Sequence, residues 1–251
     1  MDHYYDHPEV YDVFYNRAKE PMLRDHYQRV LAHKAISTIH DCSFGSGNLS
    51  LVLAEMGYRL SGSDINQKML DAASKKATAR NLDIPLYQCD FRTLTSLHLT
   101  PVECIMCTGN SLGHVPNSDV ALTLQQMASC VKSGGYLYLD SRNWDTILQH
   151  KKRFHTFNPI LREDDRVNVV QVWDYLPLNT ITFTFLFTYE RDARIYRREE
   201  FTETYHPVTL GFIEETLQQC GFSQIEVTSF IFHQITDFAQ MPWYCLIARK
   251  D

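Results

Sequence analysis

The sequence predicts a doubly wound α/β fold: a mostly parallel seven-stranded sheet carrying an inserted three-stranded antiparallel subdomain. Three observations point there. Short apolar runs alternate with helical patterns from residue 35 to residue 140. Asp41, Asp64, Asp90, Asn110 and Asp140 each stand at or just past the end of one of those runs, and ligand loops of such sheets lie at the carboxyl ends of the strands. After residue 160 three runs follow one another with no helix between them, which is the pattern of an antiparallel meander.

The elements follow in order. Residues 9–34 place Val10, Phe14, Met22, Tyr27, Val30 and Leu31 at helical spacing, as one buried stripe over two helices broken at Pro21. A first strand over 35–42 turns through Ser43-Phe-Gly-Ser-Gly47 into a helix over 49–56, which Gly57 stops. A strand over 58–63 ends at Asp64 and a helix covers 65–80. A third strand over 85–89 ends at Asp90, and a fourth over 102–108 leads into Gly109-Asn110-Ser111. A helix over 119–131 and the turn Ser133-Gly134-Gly135 precede a fifth strand over 136–140. The meander occupies 167–175, 181–191 and 197–206. Its phenylalanines 183, 185 and 187 alternate with Thr182 and Thr184, so one face is buried. A helix over 210–220 and an antiparallel edge pair over 225–232 and 244–249 complete the chain. The organisation expected is a helical lid (1–34), a main domain (35–159 and 207–251) and a capping subdomain (160–206).

Composition narrows the class. Net charge is 24 − 30 = −6, with 44% hydrophobic and 22% charged residues. A nucleic-acid binder shows a basic face; here the basic runs 151–153 and 194–198 are interrupted or flanked by acids, so no nucleic-acid partner is expected. No apolar run approaches the ~20 residues of a membrane span, and the polar start, rich in His and Tyr, does not resemble a signal peptide. Seven cysteines, an odd number, fit reduced thiols in a cytoplasm. Cys104 and Cys107 have C-x-x-C spacing but lie on a strand, where residues three apart face opposite ways. No metal is expected there. A homo-oligomer stays open.

The turn 41–49 carries the first chemical reading. Glycine permits positive φ and close backbone approach, and the helix that follows offers free N–H groups. Its G-x-G spacing lacks the third glycine of a pyrophosphate cradle, and no G-K-[ST] supports a nucleoside triphosphate. Asp64, seventeen residues after Gly47, can accept both hydroxyls of a ribose; it is also an N-cap candidate for the next helix. With Asp41, Asp64 and Asp90, the order of elements resembles the class I, Rossmann-like S-adenosylmethionine-dependent methyltransferases. That resemblance implies S-adenosyl-L-methionine as cofactor, its methionine part near Asp41, Ser43, Gly45, Gly47 and Thr108. It implies the ribose on Asp64 beside Ile65 and Met69, and adenine between Asp90 and Phe91. Ser43 departs from the family by standing where many members have the first glycine.

Two further stretches narrow the resemblance. Residues 109–116, Gly-Asn-Ser-Leu-Gly-His-Val-Pro, and 139–148, Leu-Asp-Ser-Arg-Asn-Trp-Asp-Thr-Ile-Leu, are similar to the strand exits of glycine and sarcosine N-methyltransferases. Tyr205-His206-Pro207 is similar to a tyrosine-rich turn of the same group. The expected acceptor is a small molecule, an amino acid or another carboxylated amine. Arg142 can grip a carboxylate with its planar fork, or pair with Asp140 or Asp145 instead. Asn110 can orient the acceptor or serve as a turn residue. His114 is a candidate base or a capping group, and Tyr205 a further site residue. Tyr4, Tyr5, Tyr11 and Tyr15 suit either a lid over the sulfonium or helix packing. Arg17, Lys19 and Arg24 are candidates for the cofactor carboxylate, and the sequence does not choose among them; Tyr15 and Arg17 count among the expected cofactor-binding residues. Two other functions stay open: an O- or S-methyltransferase of a small metabolite, and a catalytically silent sensor of the cofactor.

Overall fold

The computed structural model describes residues 3–251. The main sheet contains β1 (Thr38–Asp41), β2 (Arg59–Asp64), β3 (Leu86–Gln88), β4 (Val102–Cys107) and β5 (Val131–Arg142), all parallel. The second sheet comprises β6 (Phe154–Thr156), β7 (Ile160–Leu161), β8 (Arg166–Tyr175), β9 (Ile181–Arg191) and β10 (Arg194–Tyr205), all antiparallel. β11 (Phe222–Ser229) and β12 (Trp243–Lys250) return to the main sheet, whose order is β11-β12-β5-β4-β1-β2-β3. The last pair is antiparallel as expected, but only β11 is an edge, because β12 lies against β5. The order reverses at β1 and β4, so their carboxyl ends flank a crevice.

Helices cover both faces. α2 (Glu20–Val30), α3 (Leu51–Glu55) and α4 (Gln67–Ala79) pack on one side through Leu23, Tyr27, Leu53 and Leu70. α5 (Asn117–Ser129) and α7 (Leu210–Gln219) pack on the other through Leu124, Met127, Ile213 and Leu217. Cys104 belongs to the first cluster and Cys107 to the second. Their opposite facing is the strand alternation read from the sequence. Among the described residues no helix is long and apolar enough to cross a membrane.

Several boundaries differ from expectation, each for a local reason. Pro21 breaks nothing: it sits in the first turn of α2, where its missing N–H has no helical partner to lose. Leu23 then takes the buried position expected of Met22, which is exposed. Asp64 does not cap α4; Asn66 does, accepting from Lys68 N at 2.9 Å. β5 begins before its glycine pair rather than after it. Gly134 adopts φ +75° where the register with β4 shifts, so the strand runs through the irregularity. The second sheet has five strands, not three, because the short β6 and β7 extend it across β8.

The N-terminal segment is tied to both sheets. Tyr4 stacks on Phe185 of β9 at 4.6 Å, and its N–H donates to Glu203 of β10 at 2.9 Å. Val10 and Val13 join the aromatic cluster that contains Trp173, Phe183 and Phe187. The lid and packing readings of the tyrosines are therefore one arrangement.

Candidate active site

Two cavities of about 430 Å³ each open at the carboxyl end of the main sheet. They share Tyr5, Tyr11, Asn48, Leu49 and Gly109 as a common wall.

The first cavity is built on the turn after β1. Asp41 is fully buried beneath that turn and lines neither cavity. Its carboxylate accepts from Ser43 N at 3.0 Å, from Thr108 Oγ1 at 2.9 Å and from Ser50 Oγ. Burial raises its pKa, and these hydrogen bonds pull it back. Asp41 thus acts on the turn and the end of β4 rather than on a ligand. Ser43 contributes to the same joint. Its hydroxyl donates to the Thr108 carbonyl at 3.0 Å and accepts from Thr108 N at 2.7 Å. Ser43 therefore bridges β1 and β4 across the switch point. Gly47 also lies outside the cavity: at φ +80° a Cβ would sit 2.9 Å from the Leu51 side chain.

Asp64 lines the cavity. One oxygen accepts from Gly45 N at 2.8 Å, the other from Asn66 N at 2.9 Å. A carboxylate has about four acceptor sites, so two remain for a vicinal diol. Burial raises the pKa of Asp64, and the N–H groups of Asn66, Gly45 and Ile65 oppose the rise. Ile65, Met69, Phe91 and Val115 give the cavity apolar walls that suit a flat heterocycle. Asp90 is at the same end, and Arg92 already holds it, with Arg92 Nη2 2.6 Å from Asp90 Oδ2. Burial would raise the Asp90 pKa, but the Arg92 hydrogen bonds prevail and lower it. Arg92 also donates to Asp119 at 3.1 Å. The sequence reading missed Arg92, although its place two residues after a strand-end acid was visible.

The N-terminal segment meets the rim of this cavity by a second set of contacts. Asn66 Nδ2 donates to the Tyr5 carbonyl at 3.1 Å and to Asp6 at 2.9 Å. Asp12 accepts from Ser46 Oγ at 2.7 Å and Asn48 Nδ2 at 2.8 Å, and pairs with Lys76 Nζ at 2.7 Å. Burial lowers the pKa of Lys76, against the pull of Asp12. Lys76→Met should leave the Asp12 carboxylate without its cation, lower cofactor affinity about tenfold and speed proteolytic nicking within residues 3–19. Affinity and cleavage rate both equal to wild type would remove the latch from the account.

The second cavity lies against the second sheet. Arg142, at the end of β5, lines it. The guanidinium sits 4.9 Å from the Trp243 ring, 5.2 Å from Trp173 and 5.6 Å from Phe183. Among the described residues it has no carboxylate partner and no hydrogen-bond acceptor. The expected alternatives are occupied elsewhere. Asp140 accepts from Trp243 Nε1 at 2.8 Å and Gly109 N at 3.0 Å, while Asp145 accepts from Leu210 N at 3.0 Å. Burial lowers the Arg142 pKa, against the pull of Tyr205 and Tyr5.

Asn110 lines the same cavity in a left-handed conformation, φ +64°. Its Oδ1 accepts from Ser141 Oγ and Arg142 N, both at 3.1 Å, and its Nδ2 has no acceptor among the described residues. It is both the turn residue and a donor at the cavity wall. Tyr5 Oη lies 3.0 Å from His114 Nε2 and 3.1 Å from Tyr205 Oη. Burial, then His206 and Arg142, lower the His114 pKa to about 4. The imidazole is neutral at pH 7 and a poor proton acceptor there.

The three basic candidates of the lid separate. Arg17 lies outside both cavities and pairs with Glu20 at 3.7 Å and Glu55 at 3.8 Å, so it departs from the place expected for it. Arg24 pairs with Glu55 at 3.3 Å. Lys19 lines the second cavity and has no ion pair among the described residues. Tyr15 lines that cavity too, not the first, and its hydroxyl bonds Glu20 and Arg80.

Asp140 has one oxygen buried without a partner. Burial, opposed by Trp243 and Gly109 and reinforced by Asp41, pushes its carboxyl up to about 7. Unfolded, the group titrates near ~3.9. Between about pH 4 and 7 the unfolded chain has lost this proton while the folded chain keeps it, so this contribution to stability falls as pH rises. Asp140→Asn should remove that slope, and its stability relative to wild type should grow from pH 4 to pH 7 in urea melts. Parallel curves would mean that Asp140 is already ionised in the fold at pH 4.

Comparison with known proteins agrees with this geometry. Residues 39–135 match the model of a methyltransferase domain. The chain is 27% identical over 230 residues to a glycine/sarcosine N-methyltransferase of Parasynechococcus marenigrum (strain WH8102), covering 90% of this chain and 76% of the relative. It is 26% identical over 247 residues to a glycine/sarcosine N-methyltransferase of Aphanothece halophytica, covering 97% and 88%. Its fold is that of an S-adenosylmethionine-dependent methyltransferase from Clostridium acetobutylicum ATCC 824, with TM-score 0.77 and 16% identity over 96% of each chain. The first cavity, with its turn, its strand-end acid and its apolar walls, fits S-adenosyl-L-methionine, and the chain carries a methyltransferase domain over residues 39–135 on the fold of S-adenosylmethionine-dependent methyltransferases.

Proposed function

We propose that the protein methylates the amine of a small carboxylated molecule such as an amino acid. The observation that carries this reading is Arg142, a guanidinium lining the second cavity with no anion of its own. Enclosing a charge without a partner is costly, and an acceptor carboxylate taken up bidentately would supply the missing partner. The relatives named glycine/sarcosine N-methyltransferases support the same class.

S-Adenosylmethionine supplies an activated methyl group on sulfur, so the chain's residues need mainly to position the acceptor and exclude water. Arg142 fixes the acid end, and Asn110 Nδ2 donates to the same group or steadies its neighbour. The amine must be neutral to attack. Glu20, the carboxylate among the charged lining residues of this cavity, is already taken by Arg80 at 2.8 Å and by Tyr15. An ammonium therefore finds no free counter-ion, and the neutral form of the acceptor is favoured. Tyr5 and Tyr205 bring hydroxyl groups to the wall between the cavities, with neutral His114 holding Tyr5. Lys19 is the remaining candidate for the cofactor carboxylate. A screen of amino acids and simple amines for S-adenosylhomocysteine release tests the reading. Turnover confined to alcohols or thiols would favour the O- or S-methyltransferase alternative. Tight cofactor binding with no turnover of any acceptor would favour a sensor.

A further inference from the structure

We infer that the acceptor carries an aromatic body, so that the second cavity takes an aryl-substituted carboxylated amine in preference to glycine or sarcosine. This rests on the carboxylate-anchor reading and adds the shape of the rest of the molecule.

Size is the first argument. The cavity holds about 430 Å³, within the ~300–1,000 Å³ of pockets that enclose whole drug-sized ligands. The first cavity, of the same volume, is assigned to S-adenosylmethionine, so glycine, with five heavy atoms, would leave most of the second unfilled. The remaining apolar wall would stay in contact with water, which the hydrophobic effect disfavours.

The chemistry of the wall is the second. Phe14, Phe157, Phe185, Phe230 and Trp243 line the cavity, and Leu23 and Ile231 extend it. These rings are held by one another. Phe185 stacks on Tyr4, Phe14 meets Phe157 at 5.1 Å, and Phe230 meets Trp243 at 6.1 Å. Ring faces and edges fixed in this way favour another ring in offset or edge-on contact. Ile231 is held at φ +65°, a left-handed conformation that β-branched residues rarely adopt, and its N–H donates to His26 Nδ1 at 3.4 Å. The fold thus maintains a strained backbone where an apolar side chain meets the cavity.

The distribution of polar groups is the third. Arg142 and Gln171 are both organised around one ring. The guanidinium lies over Trp173, while Gln171 Oε1 accepts from Trp173 Nε1 at 3.1 Å. Gln171 is buried, lines the cavity, and its Nε2 has no acceptor among the described residues. Two donors from different sheets are thus available at the anionic end, and the phenylalanines provide an apolar remainder. That pattern matches an acceptor with one acid end and one aromatic end.

The test uses the full chain with S-adenosylmethionine. S-Adenosylhomocysteine release is followed with glycine, sarcosine, phenylalanine, tyrosine, tryptophan and phenethylamine. The best aromatic amino acid should exceed glycine in kcat/KM by about 100-fold or more, in the range that pocket contacts can supply. Phe157→Ala should cut that ratio about tenfold. Glycine or sarcosine equal to or better than every aromatic acid overturns the inference and leaves the carboxylate anchor standing. Phenethylamine equal to phenylalanine overturns the anchor and leaves the aromatic body standing. If no compound turns over, calorimetry in the presence of S-adenosylhomocysteine decides. Tighter binding of an aromatic acid than of glycine, by tenfold or more, supports the inference; equal or absent binding of both overturns it.

Discussion

Asp64→Ala should weaken cofactor binding at least about a hundredfold while leaving a folded protein. The carboxylate stands at the carboxyl edge of β2, half-buried, where its loss opens no apolar core. It bonds the Gly45 and Asn66 N–H groups and keeps two acceptor sites for the ribose. Hydrogen bonds to a charged group contribute about 1.5–3 kcal/mol each. Losing two of them weakens binding by about 3–6 kcal/mol, or roughly 10²- to 10⁴-fold. The turn also loses the acceptor that holds Gly45 at φ +53°. Titration calorimetry measures the loss, and circular dichroism reports the retained fold. An unchanged dissociation constant would show that the ribose is held elsewhere.

Arg142→Ala should raise KM for a carboxylated acceptor about 10²- to 10³-fold with cofactor affinity nearly unchanged, since a bidentate charged pair is lost on one side only. A second variant separates binding from packing. Arg142→Met keeps the length of the side chain between Trp173 and Trp243 but removes a charge that has no partner. Replacing a desolvated charge by an apolar group of similar volume is often stabilising. The ligand-free Arg142→Met protein should therefore melt higher than wild type, by about 2–4 °C per kcal/mol recovered, although it binds acceptor poorly. A KM that stays at the wild-type value in both variants would sink the carboxylate anchor.

Much of the main sheet was legible because strand and helix periods alternate and each parallel strand ends near a polar residue. Asp64, Asp90 and Asn110 sit where that rule puts them. What stayed hidden depends on contacts distant in sequence. Asp12 and Lys76 are 64 positions apart and meet only because the lid folds back over the turn. Arg142 and Trp173 are 31 positions apart and meet only because the end of β5 faces the second sheet. Asp41 lies beneath the turn and not in a cavity, because Ser43, Ser50 and Thr108 use its oxygens. Arg17 has the right charge for a cofactor carboxylate, yet two glutamates hold it outside the cavities. Local pattern reports which end of a sheet is used; it does not report which side chains are already paired.

Tyr5 belongs to both cavities, and its backbone carbonyl is held by Asn66 at the cofactor rim. The same residue therefore closes one compartment and completes the other. A change in the placing of the N-terminal segment would therefore alter the walls of both compartments at once.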